Sequence, residues 1–283
     1  MFDYLKKHQH SLNIKNACTF LGVSRSGFYA SLHETPSKHT VEDAVLKDQI
    51  KAIFLEHKCR YGTRRIKAVL KRKGLHVSRR RIGRLLKEQG LYTKGVRRKY
   101  IHYTKNSKYI SDNIVNQQFN IKKKNAVWYG DITYIPTEEG TLYCSVYIDG
   151  FTRSCVAYSI KNHMKDSLVL DSLHEAIQKQ KPSKGLIIHT DKGSQYTGSR
   201  FYEYMTFSGL IHSQSRRGNP YDNAVMESFF KSFKREVLHQ HHFKTKAEAI
   251  SETVDYLENY YNNDRIHSAL GYLTPTEFEK MHS

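Results

Sequence analysis

The stretch AVWYGDITYI (126–135) decides how this chain folds. Val127, Trp128, Tyr129, Ile132 and Tyr134 are residues of a buried strand. Asp131 nevertheless stands in their midst. A charge buried in a strand is costly unless it is paired or bound to a metal. A second acid, Asp191, follows the apolar run of GLIIHTDKGSQY (185–196), where a tight polar turn begins. A third, Glu227, lies in the helix expected after the turn in GNPYDNAVMESFFKSFKRE (218–236). Thirty-five residues separate Asp191 from Glu227, and Lys234 stands two helical turns beyond Glu227. Either aspartate could instead be a strand-end acid capping a turn, a reading that suits Asp191 better than Asp131.

From Ala126 onward the pattern alternates. Strands are expected over Ala126–Ile135, Leu142–Asp149, Ser154–Ile160, Gly185–Thr190 and Leu210–Ser213. Helices are expected over Lys165–Gln180, Ser199–Phe207, Asn223–His239 and Lys246–Asn262. Three strands joined by short turns, then helices around further strands, predict an α/β fold with a five-stranded sheet of mixed direction. Gly140–Thr141 and Asp149–Gly150 supply the hairpin turns. Asp149 is thereby explained as a turn residue in VYIDGFT (146–152). Asp222 or Asn223 is expected to cap the following helix.

Three acids on three rigid elements suit metal-assisted phosphoryl transfer, in which two Mg²⁺ ions sit about 3.5–4 Å apart. Mg²⁺ takes few protein carboxylates and fills its shell with water and phosphate. Asn223, Glu227, Lys231 and Lys234 fall on one helix face, at spacings of four, four and three. That stripe is either an exposed ion-pair face or a metal ligand flanked by lysines that grip phosphate. Phe229, Phe230 and Phe233 point elsewhere, into the core. His189 shares the strand face of Asp191; it orients a carboxylate, contacts DNA, or is a satisfied core histidine.

The N-terminal half is helical. SLNIKNACTFLGVSRSGFYASL (11–32) reads as helix, Gly22 turn and a second helix capped by Ser24, a helix-turn-helix pattern. ETPSKHT (34–40) reads as a linker. A longer helix follows, and YGTRRIKAVLKRKGLHVSRRRIGRLLKEQGL (61–91) repeats the pattern with Gly74 and Ser78. Arg64 and Arg65 open its first helix. Arg79, Arg80, Arg81 and Arg84 load the start of the second, which suits phosphate or groove contact. Residues 94–124 read as a basic linker or arm able to lie along DNA. The expected divisions are therefore 1–35, 36–93, 94–124, a catalytic core over 125–240 and a helical extension over 241–283.

Charge agrees with this reading. The chain has 283 residues and a net charge of +19. From Lys58 to Lys105 there are 18 Lys/Arg and one acid, Glu88. Such density favours a polyanion, foremost nucleic acid. An anionic membrane fits less well, because no long apolar face with aromatic anchors accompanies the charge. No membrane-spanning run or signal peptide is legible, so a cytoplasmic protein is expected. The four cysteines lack paired spacing, which argues against disulfide or zinc frameworks.

The strings LGVSRSGFY, YGTRRI, VSRRRIGRLL, WYGDITYI, HTDKGSQY, GNPYDNAVMESFFKSFKRE and YNNDRIHSALGYLTP run in order along nearly the whole chain. Together they resemble the insertion sequence family three transposases, specifically the downstream-frame product, within the DDE recombinases. The resemblance implies a ribonuclease-H-like core in which Asp131, Asp191 and Glu227 bind two Mg²⁺ or Mn²⁺ ions. Water and then a DNA 3′-hydroxyl attack in line, without a covalent protein–DNA intermediate. Lys234 becomes a DNA contact, as does Lys231 beside it. Asn223, His189, Arg265 and His267 are candidate supporting residues, the last two as phosphate ligands or as structural hydrogen-bonders. Double-stranded element ends and target DNA are the implied partners. Self-association on DNA is expected, as is an upstream-frame product or fusion, in a bacterial cytoplasm at the nucleoid. The alternative is a DNA-binding regulator without catalysis; a host resolvase-like nuclease fits the C-terminal string poorly.

Overall fold

The computed structural model describes residues 2–8, 11–32, 38–93, 109–216 and 219–282. These form two compact units, 1–92 and 93–283.

The first unit is all helix: α1 (Phe2–His8), α2 (Ile14–Phe20), α3 (Arg25–Leu32), α4 (Lys38–Glu56), α5 (Thr63–Arg72) and α6 (Arg79–Glu88). The caps follow the sequence. Asn13 Oδ1 accepts the Lys15 and Asn16 amides at the start of α2. Ser24 Oγ accepts the Gly27 amide, and Ser78 Oγ accepts the Arg81 amide. Gly22 and Gly74 take the left-handed backbone that ends a helix and that side chains disfavour. Leu5, Cys18 and Phe28 bury one small core. Ile50 and Ile53 of α4, Ile66 and Leu70 of α5, and Ile82 and Leu85 of α6 are all fully buried. The last three residues of the expected linker, Lys38–Thr40, already belong to α4, and residues 34–37 lie outside the described ones.

The second unit carries a five-stranded sheet in the order β3-β2-β1-β4-β5. Its strands are β1 (Val127–Thr137), β2 (Gly140–Asp149), β3 (Cys155–Lys161), β4 (Ile187–Thr190) and β5 (Ile211–Gln214). β1, β2 and β3 pair antiparallel; β4 and β5 run parallel to β1. The mixed sheet is as expected. The first hairpin differs in detail: Thr137 pairs with Gly140, so Glu138 and Glu139 form the turn and Gly140 opens β2. The helices are α7 (Asp166–Gln180), α8 (Ser199–Phe207), α9 (Ala224–Phe233), α10 (Lys246–Val254) and α11 (Pro275–Met281). α9 and α10 each run on into a π-helical segment, Lys234–Leu238 and Asp255–Tyr261. Trp128, Tyr147, Val169, Leu173, Ile188 and Phe201 belong to the core that joins the sheet to α7 and α8.

Both open edges of the sheet are covered, as exposed edges invite aggregation. At β3, the Asn262 amide stands in for a neighbouring strand: its Oδ1 accepts the Cys155 N–H at 2.9 Å and its Nδ2 donates to the Cys155 carbonyl at 3.0 Å. At β5, the segment from Tyr109 lies as a strap. The Ser111 amide donates to Gln214 Oε1 at 2.8 Å, and the Gln214 amide donates to the Asp112 carbonyl at 3.2 Å. The expectation of a free arm over 94–124 is therefore corrected from Tyr109 onward. That half finds its hydrogen bonds on the sheet edge; residues 94–108 lie outside the described ones.

Candidate active site

Register brings the two aspartates together. Tyr129 of β1 and His189 of β4 are direct partners, and their rings meet edge to face at 5.6 Å. Asp131 and Asp191 each lie two residues further on, so the strand alternation returns both to that same face. β4 ends at Thr190, which leaves Asp191 where the parallel strands part. Clefts at the carboxyl ends of parallel strands are where such sheets bind ligands. The approach is tight: a Cβ on Gly193 would stand 2.9 Å from Asp191 Oδ1, and one on Gly130 would stand 2.5 Å from the Tyr147 ring.

The two carboxylates have little to neutralise them. Asp131 Oδ1 accepts the Ile132 amide at 2.7 Å, and Asp191 Oδ1 accepts the Gly193 amide at 2.9 Å. Among the described residues neither forms an ion pair. Burial first, and then the neighbouring Asp191, push the Asp131 carboxyl well above the ordinary range. The Ile132 amide and Lys234 pull it down, and Glu227 adds a smaller push upward. Burial also raises Asp191, against the Gly193 amide. Asp131 is half-buried, while the Asp191 residue keeps solvent access although protein crowds its carboxyl. The accessible surface is what counts here, because it lets a cation reach the pair. Two hard oxygen donors of like charge, unneutralised, fit a divalent cation.

Glu227 sits in the first turn of α9, exposed, on the helix whose Val225, Met226, Phe229, Phe230 and Phe233 are buried. Lys231 and Lys234 are exposed on the same helix. The sequence predicts that all three acids converge within metal-bridging distance. Among the described residues no three His, Cys, Asp or Glu side chains are already gathered into a group able to hold a metal ion. The apolar face of α9 is buried, which leaves Glu227 on the exposed side of the helix. Its charge still acts on Asp131, as does that of Lys234.

The remaining candidates divide. Asn223 is buried at 7% exposure, off the exposed stripe expected of it, and its Oδ1 has no hydrogen-bond partner among the described residues. Asp222 is no simple cap: Asn219 Oδ1 accepts the Tyr221 amide, while Asp222 is buried under Arg216 and Gln117. His189 is a satisfied core histidine. Its Nδ1 lies 2.9 Å from Ser213 Oγ, which also accepts the Ile114 and Val115 amides. With both its lone pairs taken, Ser213 donates to Nδ1, and Nε2–H donates to Ser215 Oγ at 3.1 Å. Burial lowers the His189 pKa to about 4, so the ring is neutral at pH 7.

Arg265 and His267 are structural. Arg265 is 3% exposed; its Nε and Nη2 donate to Glu236 at 2.8 and 3.1 Å, and Nη1 lies 2.9 Å from His267 Nε2. Tyr256 Oη donates to the same Glu236 at 2.9 Å. Glu236 is missed by the sequence reading, although its spacing of seven from Phe229 and three from Phe233 places it in the buried stripe.

In the first unit, Arg81 pairs with Asp43 and Glu42, and Arg84 with Asp43 and Glu88. Three of these ion pairs hold α6 to α4 and the fourth lies within α6, so Arg81 and Arg84, expected as DNA contacts, are engaged with acids of their own unit. Arg65 lies over the Tyr61 ring at 5.2 Å. Arg64, Arg79 and Arg80 are exposed, without an ion pair among the described residues.

A mixed five-stranded sheet with two acids side by side on adjoining parallel strands defines an integrase-type, ribonuclease-H-like core. An integrase core domain family matches residues 122–220, a second such family matches 208–275, and an HTH-like domain family matches 40–100. The transposase of insertion sequence element IS904 from Lactococcus lactis subsp. lactis (strain IL1403) is 49% identical over 89% of this chain and 100% of its own length. The insertion element IS600 31 kDa protein of Shigella sonnei is 40% identical over 94% of this chain and 98% of its own. Transposase InsF of IS3A from Escherichia coli (strain K12) is 34% identical over 98% of each. The HTLV-2 integrase catalytic core solved with magnesium is similar at 18% identity and a TM-score of 0.42, over 54% of this chain and 95% of that one. The chain belongs to the IS3-family transposases, DNA-binding polynucleotidyl transferases of the DDE type. No helix among the described residues is long and apolar enough to cross a membrane.

Proposed function

We propose that this chain cuts and joins DNA strands at the ends of its insertion element, with Asp131, Asp191 and Glu227 holding two divalent ions, Mg²⁺ or Mn²⁺. The observation that carries the reading is the like-charged pair Asp131 and Asp191, which form no ion pair among the described residues. The buried acids Glu236 and Asp222 each have an arginine partner, and Asp149 has four amide and hydroxyl donors. Bound ions supply activation of the attacking oxygen and stabilisation of the leaving oxygen of a phosphodiester.

The chain's own groups bind and orient. Asp131 and Asp191 present hard oxygens from a rigid sheet, and Glu227 completes the set from α9. Lys234, whose charge reaches Asp131, holds phosphate beside the reacting bond, and Lys231 grips the strand one turn earlier. Water and then a DNA 3′-hydroxyl serve as nucleophiles, so no tyrosine or serine is required for covalent attachment. In the first unit, Arg64, Arg79 and Arg80 contact the phosphates of double-stranded DNA. Self-association on two DNA ends, with an upstream-frame product or fusion, completes the assembly at the bacterial nucleoid.

The test uses element-end duplex with Mg²⁺ or Mn²⁺, with this chain alone and with it fused to the upstream frame. Glu227→Gln abolishes cleavage and keeps DNA affinity. Cleavage that persists in that variant refutes the assignment.

A further inference from the structure

The turn in front of the Glu227 helix is held by a carboxylate that the scheme above leaves unused. Asp222 has no exposure to solvent, and four hydrogen bonds reach its two oxygens. Oδ1 accepts from Gln117 Nε2 at 2.8 Å and from Arg216 Nη2 at 2.7 Å. Oδ2 accepts from the Arg216 amide at 2.8 Å and from Arg216 Nε at 2.9 Å. The three residues come from separate places. Gln117 belongs to the strap, Arg216 follows β5, and Asp222 lies in the turn Pro220–Asn223 that leads into α9. Next to this junction is His189 of β4, on which the Asp222 charge acts. His189 stands two residues before Asp191. One buried side chain therefore ties the end of β5, the edge strap and the start of the Glu227 helix together, beside the strand that leads to Asp191.

Two alternatives for Asp222 fail on geometry. A carboxylate has about four acceptor sites, and donors of this chain fill all four, so no oxygen is left for a metal. A helix cap needs one acceptor for an amide of its own helix, whereas these donors all come from outside α9. What remains is placement. The apolar face of α9 fixes the body of the helix; its first turn, with Glu227 in it, takes its position from the turn before it.

We propose that Asp222 is a positioning residue, which clamps Arg216 and Gln117 and thereby sets the reach of Glu227 toward Asp131 and Asp191. The proposal rests on Glu227 being a metal ligand. Partners that hold ligands in place act on metal affinity about 10–100-fold.

Amide hydrogen exchange and Mn²⁺ titration calorimetry on the 283-residue chain, with element-end duplex present, test it. Asp222→Asn keeps the shape and turns one acceptor oxygen into a donor facing Arg216 or Gln117. Expected are faster exchange at the Ala224–Glu227 amides, unchanged exchange in α7, and Mn²⁺ affinity weaker by about tenfold. Gln117→Ala removes one bond of the four and weakens affinity by about threefold, the scale of a single hydrogen bond; it decides the matter if Asp222→Asn does not fold. Glu227→Gln tests the underlying reading. Mn²⁺ affinity unchanged in Glu227→Gln refutes the ligand assignment itself. Affinity lost in Glu227→Gln but kept in Asp222→Asn, or in Gln117→Ala if the former is unfolded, overturns the positioning role alone. A fall in thermal stability with unchanged Mn²⁺ affinity counts against it equally.

Discussion

Two acidic sites of the second unit follow opposite rules. Glu236 is 1% exposed and compensated: Arg265 and Tyr256 donate to it, and against the burial of Arg265 the Glu236 carboxylate, with Tyr256 and Tyr261, holds the guanidinium charged. Asp131 and Asp191 are enclosed by the same fold, yet their nearest strong charge is each other. A buried pair that is complete supports the structure; breaking it by removing one partner leaves an unpaired charge. A like-charged pair destabilises the protein that carries it, and strain of that kind gathers where chemistry is done. The lesson concerns roles: Glu236 and Asp222 have found cations and Asp149 four neutral donors, whereas Asp131 and Asp191 each accept a single amide.

The largest effect that could break this comparison is on activity. Asp131→Asn lowers metal-dependent cleavage of an element-end duplex by a factor on the order of a thousand, the scale of removing one transition-state-stabilising group. The same variant raises the melting temperature of the metal-free protein at neutral pH. The sign follows from linkage. The folded pKa of Asp131 lies above its unfolded value of about 3.9, so the folded state binds more protons and stability falls as pH rises between the two. A melting temperature lowered by Asp131→Asn at pH 7 would show the pair to be structural.

Next in size is the compensated site. Arg265→Leu strands Glu236 and lowers stability by about 3–5 kcal/mol in denaturant unfolding. Cleavage per folded molecule stays at the unsubstituted level. A stability loss within error of zero would put Glu236 and Arg265 outside the structural class.

Asp222 sharpens the contrast through pH. Its carboxyl is held below the ordinary range, first by Arg216 and then by Gln117, against the effect of burial. Its stabilisation is complete above the unfolded value of about 3.9 and is lost as pH falls below it. Acid unfolding of Asp222→Asn should therefore be shallower over that interval, opposite in sign to the effect of Asp131.

The smallest effect extends the comparison to the first unit. Arg79→Ala with Arg80→Ala lowers the slope of log affinity against log salt by about 1.8, for two lost phosphate contacts. Arg81→Ala with Arg84→Ala lowers the melting temperature and leaves the slope nearly unchanged, because those charges serve Asp43, Glu42 and Glu88. Equal slopes for the two double variants would erase the distinction.

The sequence alone determined the elements and their order. Apolar runs between turn residues located all five strands, and Ser24, Ser78, Gly22 and Gly74 marked helix ends through local backbone chemistry. It also singled out Asp131, because a charge inside an apolar strand conflicts with its surroundings at short range. Tertiary structure alone decided which charges are spent. Gln117 and Asp222 are 105 residues apart, as Glu236 and Arg265 are 29 apart, and no local pattern links either pair. For the same reason the sequence did not foresee the ion pairs of Arg81 and Arg84 or the strap from Tyr109, and it left Arg265 between two roles. Propensity and periodicity act between neighbours in the chain, whereas compensation of charge acts between neighbours in space, which only the packed sheet and its helices create.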